Sequence, residues 1–299
     1  MKIETNGILV KAIAGFYYVE AGGRIYSCKA RGIFRKQGCE PLVGDTVRIT
    51  AETEGELDGR VEEILPRRNR LVRPPLANVT RLFIVSAYSN PAPNSLVIDK
   101  LIAIAENKGI EPLLIFNKND QGDFSDWEEI YKAAGFEVFS VSCLTGDGIE
   151  AVRAALGEGI SVFSGNSGVG KSSLLNRLFD GLALATGEVS EKLGRGRHTT
   201  RHVELFRMEN GGYVADTPGF ASLDLEKSEV VCKEDLPFAF REFAPYLGRC
   251  RFTSCAHVGE KGCAVADAVG RGEIPASRYE SYRRMYEEVK DIKEWELQK

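Results

Sequence analysis

The tetrapeptide NKND stands at 117–120 and the octapeptide GNSGVGKS at 165–172, so a base-reading pattern precedes a phosphate-cradling one. Chains that carry both patterns ordinarily have the phosphate loop first. The reversed order restricts the fold to a circular permutation. Such a rearrangement is tolerated where the original termini lie close together on the surface. The strands and the crevice at their ends are then unchanged, and only the point where the chain leaves the domain differs.

GNSGVGKS fits G-x-x-x-x-G-K-[ST] through Gly165, Gly170, Lys171 and Ser172, with Asn166, Ser167, Gly168, Val169 and Ser173 completing the segment. It follows the apolar run ISVFS and opens the helical pattern KSSLLNRLF, the strand–loop–helix setting that the motif requires. Glycines let the backbone wrap phosphates, and free N–H groups with the helix N-terminus supply positive potential. Lys171 is expected on the β and γ phosphates and Ser172 on Mg²⁺. The loop by itself does not separate ATP from GTP.

NKND ends the strand-like run PLLIFNK. A carboxylate at Asp120 can accept two hydrogen bonds from a guanine edge, which adenine cannot offer, and a site built to pair one base rejects the other. Asn117 and Lys118 are expected to brace this loop and pack on the ring, and Asn119 is counted with them as nucleotide-binding. VSCLTG (141–146) ends the next strand, where the Ser142–Cys143 backbone can meet the base. DTPG (216–219) ends another, placing Asp216 toward Mg²⁺ through water and the Gly219 N–H toward the γ-phosphate. RHTTRH (197–202) lies in a Gly- and Arg-rich stretch, where Thr200, with Thr199 as the alternative, would close on Mg²⁺ when the γ-phosphate is present. Four motifs in strand-end or switch-loop settings make coincidence implausible.

Around this core the 299 residues suggest two or three domains. Residues 1–72 carry short β-branched and aromatic runs broken by glycine, the pattern of a small barrel. Residues 73–222 alternate strands with helices, the pattern of a mostly parallel sheet covered on both faces. Residues 223–299 are irregular, too polar for one strong core, and end in a long charged helix. The expected fold is therefore multidomain: an all-β OB-like barrel, a central α/β circularly permuted P-loop domain and a mainly helical C-terminal module. No run of about 18 apolar residues is present, which excludes a transmembrane helix, and the first residues lack a signal-peptide layout. A cytoplasmic monomer without membrane contact is expected. A net charge of −4 gives no global case for nucleic acid, so local patches must carry one.

Of seven cysteines, Cys250, Cys255 and Cys263 combine with His257 in C-x4-C-x-H-x5-C, and the chain has only three histidines. Three thiolates and an imidazole suit one structural, tetrahedral Zn²⁺. The other four cysteines, Cys28, Cys39, Cys143 and Cys232, are scattered and read as structural.

The motif order belongs to translation-factor-related GTPases that have been permuted. A β-barrel, a permuted GTPase and a Cys3His module together resemble the ribosome small subunit-dependent GTPase family, RsgA (also called YjeQ), over essentially the whole chain. The resemblance implies an OB-fold barrel that binds rRNA, and GTP hydrolysis to GDP and phosphate stimulated by the 30S subunit. It also implies a role in late small-subunit maturation through GTP-gated binding and release. Many GTPases place a water-orienting Gln after the D-x-x-G glycine, but here Phe220 occupies that position. His198 is the nearest polar substitute, and the resemblance points to it as well. The alternative is a switch-loop residue without a chemical role. Lys29, Arg31, Arg35, Lys36, Arg67, Arg68, Arg70 and Arg73 are candidate phosphate contacts, and Phe16, Tyr17, Tyr26 and Phe34 candidate stacking partners. Two rival readings are a metabolic P-loop kinase, against which NKND argues, and a nucleic-acid binder with a vestigial nucleotide site, against which Lys171, Ser172 and Asp216 argue.

Overall fold

A computed structural model of the chain describes residues 2–32, 34, 38–52, 57–179, 203–216, 225–226 and 228–292. The described residues fall into two compact units, one drawn from 1–81, 156–162 and 195–220, the other from 82–155, 163–194 and 221–299.

The first unit begins with β1 (Lys2–Ile13), β2 (Phe16–Ala21), β3 (Arg24–Ala30), β4 (Thr46–Glu52) and β5 (Asp58–Ile64). Two-residue turns at Ala14–Gly15 and Gly22–Gly23 have positive φ at both positions, matching the right-handed twist of the hairpins they join. The strands pair as β1–β2–β3–β5–β4, and β4 returns to β1, so the sheet closes into a five-stranded barrel. Within the barrel β1 pairs with β4 along Lys2–Ile8 and with β2 along Ile8–Ile13. At Gly7 a Cβ would lie 2.5 Å from the Glu20 carbonyl oxygen, so only glycine allows β2 that close. Alternation sends Val47, Ile49 and Ala51 of β4 inward, where they meet Leu9, Val19, Tyr26, Cys28 and Val61. The short β6 (Arg70–Leu71) and β7 (Leu76–Ala77) form a hairpin after the barrel. Arg67 grips Asp45 from two sides at 2.7 and 2.8 Å and also donates to the Glu40 carbonyl.

The second unit holds β10 (Glu137–Val141), β9 (Glu111–Asn117), most of β8 (Val79–Ala87) and the last residues of β11 (Ile160–Ser164), with β10 and β9 parallel. Nearly all of β9 and the whole of β11 are buried, as strands covered on both faces must be. The connecting helices are α1 (Ser95–Asn107), α2 (Ser125–Ala133), α3 (Ile149–Ala155) and α4 (Lys171–Leu178). Asn94 caps α1 by accepting from the Val97 N–H, and Gly109 at φ 64° follows its last turn.

The C-terminal residues of this unit carry α5 (Ala264–Gly270) and α6 (Ala276–Val289) and depart from expectation in one respect. They do build a core. Phe240, Phe243 and Tyr282 are buried with ring centroids 4.9–5.3 Å apart. Beside them Arg278, 1% exposed, bonds Asp99 of α1 at 2.6 Å and Glu242 at 2.7 Å, with its guanidinium over the Phe240 ring. Removing one partner from such a buried network costs about 3–5 kcal/mol, because a charge is stranded. Helix α6 reads as merely charged in the sequence because its inward face includes Arg278 and Ser281 beside Tyr282 and Met285.

The first unit is completed by β12 (Glu204–Arg207) and β13 (Tyr213–Asp216), an antiparallel hairpin. β12 meets β1 at Lys11↔Glu204, where the two side chains form an ion pair at 2.7 Å, and β13 runs parallel to the start of β11. Among the described residues no helix is long and apolar enough to cross a membrane.

Candidate functional site

β11 delivers the chain into the 165–170 loop, which is pressed against its neighbours. A Cβ on Gly165 would lie 2.2 Å from the Val85 carbonyl oxygen, and one on Gly170 would lie 2.3 Å from the Asn117 amide nitrogen. Only glycine allows that approach. Ser167 and Gly168 are exposed, Val169 is buried, and Asn166, Ser172 and Ser173 are half-buried. Helix α4 starts with Gly170 as its cap residue and no side-chain cap bond, so the first turn presents backbone donors to an anion. The Lys171 ammonium donates to the Gly165 and Asn166 carbonyls at 2.7 and 2.8 Å. Burial lowers its pKa to about 8, which still leaves it mostly protonated at neutral pH.

β9 delivers the base-reading segment to the same place. Asn117, 2% exposed, donates to the Val169 carbonyl at 2.9 Å and accepts from the Cys143 N–H at 3.3 Å. One side chain thus joins the phosphate loop, NKND and the following strand-end loop. Lys118 turns the chain with φ 68° and donates to the Ser89 carbonyl, and Asn119 donates to Asp147 at 2.7 Å. Asp120 is exposed and accepts from the Ser142 hydroxyl at 2.5 Å. That hydroxyl, fully buried, also accepts from the Leu144 and Thr145 N–H groups at 3.2 Å each. Ser142 therefore orients Asp120 through its side chain. Burial pushes the Cys143 thiol up.

Asp216 closes β13 at Glu204↔Asp216. His198, Thr199, Thr200, Gly219 and Phe220 lie outside the described residues. Asp147 and Ser89 escaped the sequence reading. Asp147 sits in a turn-like TGDG segment that reads as a plain loop, and Ser89 contributes only a carbonyl, which no residue type announces.

The second cluster has the make-up of a metal site. The ligand atoms of Cys250, Cys255, His257 and Cys263 lie within 4.8 Å of one another. His257 Nδ1 stands 3.4 Å from the Cys250 sulfur and 3.6 Å from that of Cys263. Tetrahedral Zn²⁺ with usual Zn–S and Zn–N lengths sets that edge at about 3.6 Å, so the donor set and spacing fit. The Ala264 N–H donates to the Cys250 sulfur and the Ala266 N–H to that of Cys263, which caps α5. Glu260 accepts from the Ala256 and Val258 N–H groups on either side of His257, and the Tyr282 hydroxyl donates to the Ala256 carbonyl. Burial and the adjacent thiols push Cys255 up to about 12. Burial raises Cys263 as well, and binding a cation there would release the thiol protons. All seven cysteines are free of disulfides.

On the barrel some expected nucleic-acid contacts are used elsewhere. Tyr26 and Phe34 are buried at 3% and 8% exposure, so neither presents a ring. Arg67 is consumed by Asp45, and Arg31 pairs with Glu62 at 3.4 Å. Phe16 is 40% exposed with the Lys29 ammonium 5.3 Å from its ring centroid, and it keeps a stacking face. Arg35 and Lys36 lie outside the described residues.

Comparison with known proteins agrees with this geometry. A profile of the RsgA GTPase matches residues 64–226, and one of the RsgA N-terminal domain matches 6–57. The small ribosomal subunit biogenesis GTPase RsgA of Caldanaerobacter subterraneus subsp. tengcongensis is 47% identical over 289 residues, 96% of each chain. Its namesake in Geobacillus sp. (strain WCH70) is 43% identical over 294 residues, covering 96% of this chain and 98% of the relative. The crystal structure of YjeQ from Thermotoga maritima superposes with TM-score 0.82 at 36% identity, covering 97% of this chain and 100% of that one. YloQ, a circularly permuted GTPase, superposes with TM-score 0.79 at 32% identity over 97% and 96% of the two chains. The chain belongs to the RsgA GTPase family, and its inverted motif order is that of a circularly permuted GTPase domain.

Proposed function

We propose that this protein hydrolyses GTP on the small ribosomal subunit and that the γ-phosphate gates its binding and release during late maturation of that subunit. The observation that carries the reading is the Asn117 side chain, which bonds the phosphate loop and the base-closing loop together and so builds one nucleotide site from motifs in inverted order. The names of the relatives supply the small subunit as the place of action.

In this reading residues 1–72 are the rRNA-binding barrel, 73–222 the GTPase and 223–299 the zinc-binding module. Asp120 selects guanine, held by Ser142. Asn117, Lys118, Asn119 and Cys143 shape the ring pocket. The 165–173 segment binds phosphates, with Lys171 stabilising the transferred charge. Ser172 and Thr200 would hold Mg²⁺, which neutralises charge between the β and γ phosphates when bound. Asp216 and Gly219 serve the metal side and the γ-phosphate. The Cys3His set holds a structural zinc.

His198 takes the water-orienting role that Phe220 cannot fill. His198→Ala is expected to slow single-turnover hydrolysis by on the order of 10²-fold while GTP affinity stays near normal. An unchanged rate, with and without 30S subunits, would remove His198 from the chemistry.

The overall reading is tested by multiple-turnover GTPase measured against titrated 30S, with 50S as control, at two salt concentrations. Stimulation by 30S alone, weakening steeply as salt rises, is the expected result, since rRNA contacts are largely to phosphate. GTP-bound protein should also bind 30S more tightly than GDP-bound protein. A rate indifferent to 30S, or raised equally by 50S, overturns the small-subunit assignment.

A further inference from the structure

The base-closing loop and the phosphate helix exchange arginines. From α4, Arg177 donates to the Cys143 carbonyl at 3.0 Å and to the Leu144 carbonyl at 3.3 Å. From α3, which follows that loop, Arg153 donates to the Arg177 carbonyl at 2.9 Å and to the Leu178 carbonyl. Each segment thus holds the backbone of the other. The loop's own turn bonds shape it, the Ser142 N–H donating to the Asp147 carbonyl and the Gly146 N–H to the Ser142 carbonyl. Leu144 is 77% exposed, residues 144–147 are all exposed, and Gly146 and Gly148 have φ of 89° and 70°. Its other anchors, Asn117, Asn119 and Asp120, come from the β9 side. The arginines supply the restraint from the phosphate side.

We propose that Arg177, supported by Arg153, is a positioning and specificity residue that fixes the purine-facing loop against the phosphate helix. The proposal deepens the guanine reading and rests on it. A nucleotide touches both segments at once, its phosphates at the α4 N-terminus and its base at 142–145. Arg177 lies at the far end of α4 from Lys171, six residues along the helix, and does not reach the phosphate cradle. Guanine nucleotide affinity should therefore depend on it, and affinity for a base-less polyphosphate should not. The residue is exposed, so its loss should not compromise folding.

The test uses the full-length protein and a fluorescent mant-GDP probe, with tripolyphosphate as competitor. Arg177→Ala is expected to speed mant-GDP dissociation about 5- to 20-fold, the effect of losing charge-assisted hydrogen bonds at an exposed site. The inhibition constant of tripolyphosphate and the melting temperature should stay at wild-type values. Arg177→Lys, which keeps the charge but loses the fork, should fall between the two. Wild-type dissociation from Arg177→Ala overturns the proposal. So does an equal weakening of mant-GDP and tripolyphosphate, which would mean a damaged helix. If the wild-type protein binds mant-GDP no better than mant-ADP, the guanine reading fails and takes the clasp's role with it.

Discussion

Asp120→Asn is expected to lower GTP affinity by on the order of 10²- to 10⁴-fold and to raise affinity for xanthosine triphosphate. The size follows from leaving a site's polar groups mismatched with the base it is built to pair. The direction follows from the Ser142 hydroxyl, which donates to one Asp120 oxygen at 2.5 Å. In the variant that bond keeps the amide oxygen on Ser142 and turns the NH₂ toward the base. A donor now faces the guanine amino group, which is also a donor, whereas the corresponding xanthine carbonyl accepts. Competition binding with GTP, XTP and ATP reads this directly. An unchanged GTP-to-XTP ratio would mean that Asp120 does not read the base, and equal wild-type affinity for ATP and GTP would remove guanine selection altogether.

Loss of the metal should have the other large effect, and it should be local. The purified protein is expected to hold about one zinc per chain, and Cys255→Ser or a strong chelator should remove it. Binding energies of about 10–16 kcal/mol in small zinc modules show how much local folding such a site can carry. Here the 250–263 loop has few apolar contacts of its own, with Arg251, Phe252, Thr253 and Ser254 all exposed. The adjoining core of Phe240, Phe243 and Tyr282 has its own tie to α1 through the Arg278–Asp99 pair. Limited proteolysis should therefore open the 250–263 loop, while GDP affinity stays at its wild-type value. A metal-free protein of unchanged protease resistance would reject a structural zinc. Collapse of nucleotide binding on chelation would show that the effect is not local.

Much of the site is legible in the sequence because its chemistry is local. A phosphate cradle needs glycines and a lysine at fixed offsets, and tetrahedral zinc needs four soft donors within a short reach of chain, so both are written in contiguous residues. The barrel was legible from its short broken strands, and the permutation from motif order alone. The sequence by itself thus determined the fold class, the GTPase motifs and the Cys3His cluster.

What the tertiary structure alone decided concerns partners distant in the chain. Asn117 reaches Val169 across 52 residues, Ser142 reaches Asp120 across 22, and Arg278 reaches Asp99 across 179. Tyr26 and Phe34 have the composition of a stacking surface but are buried, because the face that a strand or loop residue takes is set by closure of the barrel. Arg67 looks like any phosphate ligand until Asp45, fully buried, claims it. A side chain's type specifies which bonds it can make. Whether it makes them with a ligand or with its own chain depends on what the fold brings within about 3 Å of it.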